Sequence, residues 1–143
     1  MGWATKAGAG RTLKGARILV VEDEALIALE VQASLTDAGA QVIGPSLTLA
    51  EAFALACRET LSAAVLDVRL GRDTVGPVAR QLAARGIPFL FYTGQVETDS
   101  IRAEWPHCKI ISKPASLRTL VGAVAALCTS ELQRERHDVD GPD

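Results

Sequence analysis

The stretch from Arg17 to Glu24, with the sequence RILVVEDE, indicates the fold of this chain. Four apolar residues, ILVV, are followed at once by three acidic residues, Glu22, Asp23 and Glu24. An apolar run without polar alternation is typical of a strand that is covered on both faces, and therefore of a parallel sheet. The acidic residues would lie just beyond the end of that strand, where open α/β sheets bind ligands.

Apolar runs of this kind recur along the chain and alternate with amphipathic stretches. We predict strands at 17–21, 41–44, 63–67, 88–93 and 109–112. We predict helices at about 24–37, from Thr48 in a capping box with Glu51, at about 74–85 and from about Ser116, and a short or frayed helix within 94–106. The alternation indicates repeated βα units around a parallel sheet, with five strands and about five helices.

The first two predicted helices each have an apolar face that we expect to be buried. These faces comprise Ala28, Val31, Leu35 and Ala38 in the first helix, and Ala50, Phe53, Ala54 and Cys57 in the second. The first helix carries a further apolar stripe, formed by Leu26, Leu29 and Ala33. This stripe is either a wide core contact or an exposed surface on which a partner docks.

The length and composition fit one domain with flexible ends. The chain has 143 residues, of which 48% are hydrophobic and 22% are charged. Residues 1–16 are rich in Gly and Ala and lack periodicity, so we predict a flexible leader there. Residues 17–128 hold the predicted strands and helices, and residues 129–143 are predicted to form a polar, solvated tail beyond the last helix.

The charge and hydropathy of the chain argue against several classes of protein. With 15 Lys+Arg against 17 Asp+Glu the net charge is -2, which does not favour nucleic acid as a partner. No apolar run approaches the roughly 18 to 20 residues of a membrane-spanning helix, so we expect no membrane association and a cytoplasmic location. The three cysteines are widely spaced and form no CxxC pair, so we expect them to be reduced and mostly buried, and we expect no zinc site.

Polar side chains follow the predicted strands at the points where the strands end. Besides Glu22 and Asp23, these are Asp67 at the end of the third strand, Thr93 at the end of the fourth and Lys113 after the fifth. Carboxylates about 4 Å apart repel by roughly 1 to 4 kcal/mol, depending on the effective dielectric constant, so cations must join them. Lys113 and Mg²⁺, which prefers carboxylate oxygens, water and phosphate, satisfy this need. The set therefore predicts a site for metal and phosphoryl group, with Asp67 as the nucleophile.

These motifs together resemble the response-regulator receiver domains of two-component signalling. The matching segments are ILVVEDE at 18–24, VLDVRLG at 65–71, YTG at 92–94 and SKP at 112–114. The resemblance implies a flavodoxin-like, doubly wound α/β fold whose five parallel strands have the order 2-1-3-4-5.

The resemblance also implies a role for each matching residue. Asp67 matches the phosphoacceptor, Thr93 the switch hydroxyl and Lys113 the phosphate-binding lysine. Glu22 and Asp23 match the acidic pair that binds Mg²⁺, and the backbone carbonyl of Arg69 would be a further Mg²⁺ ligand.

Within that family, the fourth strand resembles the single-domain subgroup named for the motif Phe-Ala-Thr-Gly-Gly-Tyr (FAT GUY). Phe91, Thr93 and Gly94 agree with the motif, whereas Tyr92, Gln95 and Val96 depart from it. Ile110 replaces the aromatic switch residue that many receivers carry on the fifth strand, and Ala115 replaces the aromatic residue that often follows Lys-Pro.

The function implied is that of a single-domain response regulator. It would accept a phosphoryl group on Asp67 from a histidine kinase or a histidine phosphotransfer protein, with Mg²⁺ as cofactor. It would act through a downstream protein partner as a relay, adaptor or phosphate sink, as a monomer or weak dimer, and would not be a turnover enzyme. A competing acceptor, Asp73, is interpreted as a helix N-cap. The alternatives are a flavodoxin-like module that binds a flavin or nucleotide, which the acidic residues at 22–24 disfavour, and a receiver-like scaffold that is never phosphorylated.

The segment 94–106 is predicted to transmit the signal in place of an aromatic switch. Its large apolar residues are few, and Ile101 and Trp105 alone are spaced as neighbours on a helix. A helix there would bury little surface and should exchange with disordered forms. We predict that phosphorylation draws the Thr93 hydroxyl toward a phosphoryl oxygen and thereby increases the order of this segment.

Overall fold

Five parallel strands form one sheet. When these five are counted in sequence along the chain, their spatial order is 2-1-3-4-5, as predicted. The computed structural model describes residues 12–94 and 98–139. The strands of the sheet are β1 (Arg17–Val21), β2 (Gln41–Ser46), β3 (Ala63–Leu66), β6 (Phe89–Thr93) and β7 (Ile110–Ser112). The helices are α1 (Ala25–Asp37), α2 (Leu49–Arg58), α3 (Gly76–Ala84), α4 (Thr98–Glu104) and α5 (Leu117–Val139). A separate antiparallel hairpin, β4 (Arg69–Leu70) with β5 (Asp73–Thr74), follows β3.

The central strands are buried because helices cover both faces of the sheet. Every residue of β3 and β6 is buried, as are the last four residues of β1. Leu19, Val21 and Phe91 pack on one face with the buried residues of α2, α3 and α4. Ile18, Val20 and Leu90 pack on the other face with those of α1 and α5. The unbroken apolar runs are thus explained by two-sided burial.

Helix α1 begins and ends close to the predicted bounds, and Ala28, Val31, Leu35 and Ala38 are buried as predicted. In α2 the predicted start is also confirmed, because the Thr48 hydroxyl accepts a hydrogen bond from the Glu51 amide at 3.3 Å.

The described helices include none long and apolar enough to cross a membrane.

The predicted buried face of α2 is wrong. Ala52 and Ala56 are the buried residues, whereas Phe53 is 40% exposed. Ala50 and Cys57 are exposed, and Ala54 is half-buried. This helix is apolar on two sides, and the side with small alanines packs against the sheet and α3 because it allows a closer approach. The cysteines are also less buried than predicted, since Cys57 is exposed while Cys108 and Cys128 are half-buried.

Both ends of the predicted domain require correction. Leu13 is only 2% exposed, and its amide donates to the Ala38 carbonyl at 2.7 Å, so residues 12–16 pack against the domain instead of forming a flexible leader. The rest of the predicted leader, 1–11, lies outside the described residues. At the other end, α5 continues to Val139 where a non-helical tail was predicted. The Glu, Leu, Gln and Arg residues of this segment are good helix formers, which lets the helix continue.

Candidate functional site

The carboxyl ends of four neighbouring strands bring the predicted site residues to one edge of the sheet. Glu22 follows β1, Asp67 follows β3, Thr93 ends β6 and Lys113 follows β7. Backbone hydrogen bonds fix this edge, because the Asp67 amide donates to the Val21 carbonyl at 2.9 Å and the Lys113 amide donates to the Thr93 carbonyl at 2.8 Å. The functional side chains are therefore held by the sheet itself.

Lys113 joins two of the carboxylates directly. Its Nζ donates to Glu22 Oε1 at 2.8 Å and to Asp67 Oδ2 at 3.1 Å. All three side chains are largely shielded from water, with exposed fractions of 15% for Lys113, 3% for Glu22 and 9% for Asp67. The ammonium group also lies 5.5 Å from the ring centroid of Tyr92. One cation thus compensates part of the charge of two buried acids.

Burial and like charge make Glu22 an unusually weak acid in the absence of metal. Burial raises the pKa of Glu22 from 4.5 to about 7, and the neighbouring Asp67 adds to this increase while Lys113 opposes it. Burial alone lowers the pKa of Lys113, but the hydrogen bonds and charges of the two carboxylates outweigh it, so that pKa lies above its ordinary value. Without a further cation, Glu22 is therefore only partly ionised near neutral pH.

Three carboxylates at this edge fit a divalent cation. Glu22, Asp23 and Asp67 each offer an oxygen, and these oxygens lie within 4.8 Å of one another. Mg²⁺ binds oxygen at about 2.1 Å, so two ligands on opposite sides of the ion are roughly 4.2 Å apart. The three oxygens are near enough to one another to share one such ion after small side-chain movements, and they are the only such group of acidic, His or Cys side chains among the described residues. Asp23, unlike the other two, is exposed, and its Oδ2 accepts a hydrogen bond from the Gly71 amide at 2.8 Å.

Comparison with solved structures identifies the fold. A response regulator receiver protein from Sinorhizobium medicae WSM419 is 26% identical, with a TM-score of 0.74, over 83% of this chain and 98% of that chain. A CheY-like response regulator receiver domain protein from Methanospirillum hungatei JF-1 is 21% identical, also with a TM-score of 0.74, over 83% and 98%. The non-phosphorylated receiver domain of HemR from Leptospira biflexa is 24% identical, with a TM-score of 0.69, over 80% and 94%. The chain has the receiver-domain fold. No protein-family model and no curated protein matches its sequence.

Three further residues singled out in the sequence, Thr93, Arg69 and Ile110, lie on or beside the strands of this sheet. Thr93 is buried at the end of β6 and pairs with Ser112 of β7. Arg69 begins the hairpin two residues after Asp67, and the role of its carbonyl as a Mg²⁺ ligand stays a prediction. Ile110 is half-buried opposite Phe91, so an aliphatic side chain occupies this position of β7.

The hairpin and its contact with Asp23 were not predicted from the sequence. Asp73 lies in β5, and the residue that caps α3 is Val75, so the interpretation of Asp73 as an N-cap is wrong. A signal for the hairpin was present, because Gly71 and Arg72 form a two-residue loop and glycine at the first position of such a loop is typical of tight hairpins. The strands of two residues each are too short to show alternation.

Proposed function

We propose that this protein is a response regulator whose Asp67 accepts a phosphoryl group in a Mg²⁺-dependent reaction. The observation that supports this most strongly is the double contact of Lys113 with Glu22 and Asp67 beside three carboxylate oxygens that are near enough to share a metal ion. A structural ion pair would need only one carboxylate for one ammonium group. The excess negative charge is instead what a site for a divalent cation requires.

The proposed reaction is a displacement at phosphorus. An Asp67 carboxylate oxygen attacks the phosphorus atom, the bond between phosphorus and the donor's imidazole nitrogen breaks, and an acyl phosphate forms. Glu22, Asp23 and Asp67, with the Arg69 carbonyl, would hold Mg²⁺, which neutralises charge on the phosphoryl oxygens. Lys113 is placed to exchange its contact with Asp67 for a phosphoryl oxygen, and the Thr93 hydroxyl would donate to another.

The donor would dock on the apolar stripe of α1. Leu26 is 73% exposed and Leu29 is 58% exposed, and Ala33 is exposed as well, so the stripe is not a core contact. Helix α1 begins directly after Glu24, so this stripe starts beside the acidic residues. An exposed apolar helix face next to the site suits a helix of a histidine kinase or histidine phosphotransfer protein. The phosphorylated protein would then act in the cytoplasm through a downstream protein partner, as a relay, adaptor or phosphate sink, without being a turnover enzyme.

Phosphoryl labelling tests the proposal. The protein is incubated with a small acyl phosphate, with and without Mg²⁺, and incorporation is compared between wild type, Asp67→Asn and Asp73→Asn. We expect Mg²⁺-dependent labelling of wild type and of Asp73→Asn, and none of Asp67→Asn. Asp73 is a matched control because it is an exposed aspartate on the adjacent hairpin. Equal labelling of Asp67→Asn and wild type would show that the assignment is wrong.

A further inference from the structure

The hairpin formed by β4 and β5 contacts the acidic site at one point. The Gly71 amide, at the tip of the hairpin, donates to Asp23 Oδ2 at 2.8 Å. The two residues are 48 positions apart in the chain, so the bond links two separate loops at the edge of the sheet. Asp23 is the exposed member of the three carboxylates, whereas Lys113 holds the other two.

The hairpin is anchored well enough to fix the position of this amide. Leu70 is 4% exposed and Val75 is 2% exposed, and both belong to the core between the sheet, α2 and α3. The Val75 amide donates to the Val68 carbonyl at 2.8 Å and so closes the base of the hairpin. The tip is therefore held from both sides by buried residues.

We propose that Gly71 is a positioning residue for the metal site, a role that rests on the proposed function. An exposed aspartate samples several rotamers, and selecting one of them for a metal ion costs entropy. A carboxylate can accept one N–H bond and still offer lone pairs to a cation. The Gly71 amide thus preorganises Asp23 before Mg²⁺ binds. Removing a group that hydrogen-bonds to a metal ligand typically lowers metal affinity by about 10- to 100-fold.

The backbone conformation at Gly71 makes the proposal testable by substitution. Its φ is +64°, and a Cβ added there would meet nothing within 4 Å. A side chain therefore has room, and only the left-handed conformation restricts the residue. Valine strongly disfavours that conformation and would shift the tip, whereas asparagine tolerates it. Gly86 is a matched control, because its φ is +72° and its surroundings are equally open. It precedes β6 and so lies beyond the amino-terminal end of that strand, away from the acidic residues.

The experiment measures Mg²⁺ affinity by calorimetric titration of wild type, Gly71→Val, Gly71→Asn and Gly86→Val, with folding checked by circular dichroism. We expect Gly71→Val to weaken Mg²⁺ binding by about tenfold or more, and the other two variants to bind as wild type does. Equal affinities of Gly71→Val and Gly86→Val would overturn the role of Gly71. If Asp23→Ala loses Mg²⁺ while Gly71→Val keeps it, the metal site stands and the positioning role falls. If wild type binds no Mg²⁺, both fall.

Amide exchange of Gly71 in the metal-free protein gives a second measurement that does not depend on the folding of the Gly71 variants. We expect the Gly71 amide to exchange faster in Asp23→Ala than in wild type, because its acceptor is removed. Exchange at the same rate in both proteins would show that the bond does not hold Asp23, and would overturn the proposal.

Discussion

The raised pKa of Glu22 predicts that Mg²⁺ affinity depends on pH in a range where ordinary carboxylates no longer titrate. Burial, with a contribution from Asp67, raises the pKa of Glu22 from 4.5 to about 7 in the metal-free protein. Mg²⁺ requires the ionised carboxylate, so binding must release this proton below that pH. At about pH 6 only about a tenth of Glu22 is ionised, and the apparent affinity for Mg²⁺ is about tenfold below its value at high pH.

The same shift predicts that the pH dependence of stability differs with and without Mg²⁺. Between pH 4.5 and about 7 the folded metal-free protein holds a proton that the unfolded chain has released. Its free energy of unfolding therefore falls as the pH rises through this window, by up to roughly 3 kcal/mol at about 1.4 kcal/mol per pH unit. With excess Mg²⁺, which binds the ionised form, stability falls less across this window or rises.

Calorimetric Mg²⁺ titrations at about pH 6, 7 and 8 test this reasoning. Wild type should gain affinity up to about pH 7 and then level off, and Glu22→Gln should bind more weakly with no such change. His107→Gln is the control, because His107 lies outside the group of three carboxylates, and it should behave as wild type does. A flat wild-type profile, or a slope that survives in Glu22→Gln, would refute the assignment of the proton to Glu22.

Three further predictions concern the lysine, the docking stripe and the signal. Replacing Lys113 by Met leaves two buried carboxylates without their cation and should lower the free energy of unfolding by up to about 3 to 5 kcal/mol in metal-free urea titrations above neutral pH; no loss would show that the ion pairs are unimportant. The double change of Leu26 and Leu29 to Ser should slow phosphotransfer from a histidine kinase but not labelling by acyl phosphate. Phe53→Ser, an exposed apolar control on α2, should affect neither reaction, and a kinase reaction equally fast in the double variant and in wild type would exclude docking on α1. A phosphoryl mimic with Mg²⁺ should increase amide protection within 94–106, and protection that is unchanged would show that the signal leaves by another route.

The sheet was predictable because two-sided burial leaves a direct mark on the sequence. Strands β1, β3 and β6 are almost entirely apolar. Glu22 and Asp67 directly follow β1 and β3, and β6 ends at Thr93. Once the strands are parallel, their ends meet at one edge, so Glu22 and Asp67 could be placed together from the sequence. The contact of Lys113 with both acids agrees with this placement.

Other features depended on tertiary contacts that the sequence does not show. Helix α2 has apolar residues on two sides, and only packing decides that Ala52 is buried while Phe53 is exposed. Leu13 stands alone between polar and small residues, so no periodicity revealed its burial. The bond between Gly71 and Asp23 depends on where a tight hairpin places one backbone amide, which no pattern of side chains records.

The most direct test of the central claim is to identify the residue that carries the phosphoryl group after transfer from a phosphorylated histidine kinase in the presence of Mg²⁺. Peptide mapping by mass spectrometry should find the acyl phosphate on the peptide that contains Asp67, and on no other peptide. Chelation of Mg²⁺ should prevent its formation. A phosphoryl group found on Asp73 or on another residue, or transfer that proceeds equally well without Mg²⁺, would contradict the proposed function.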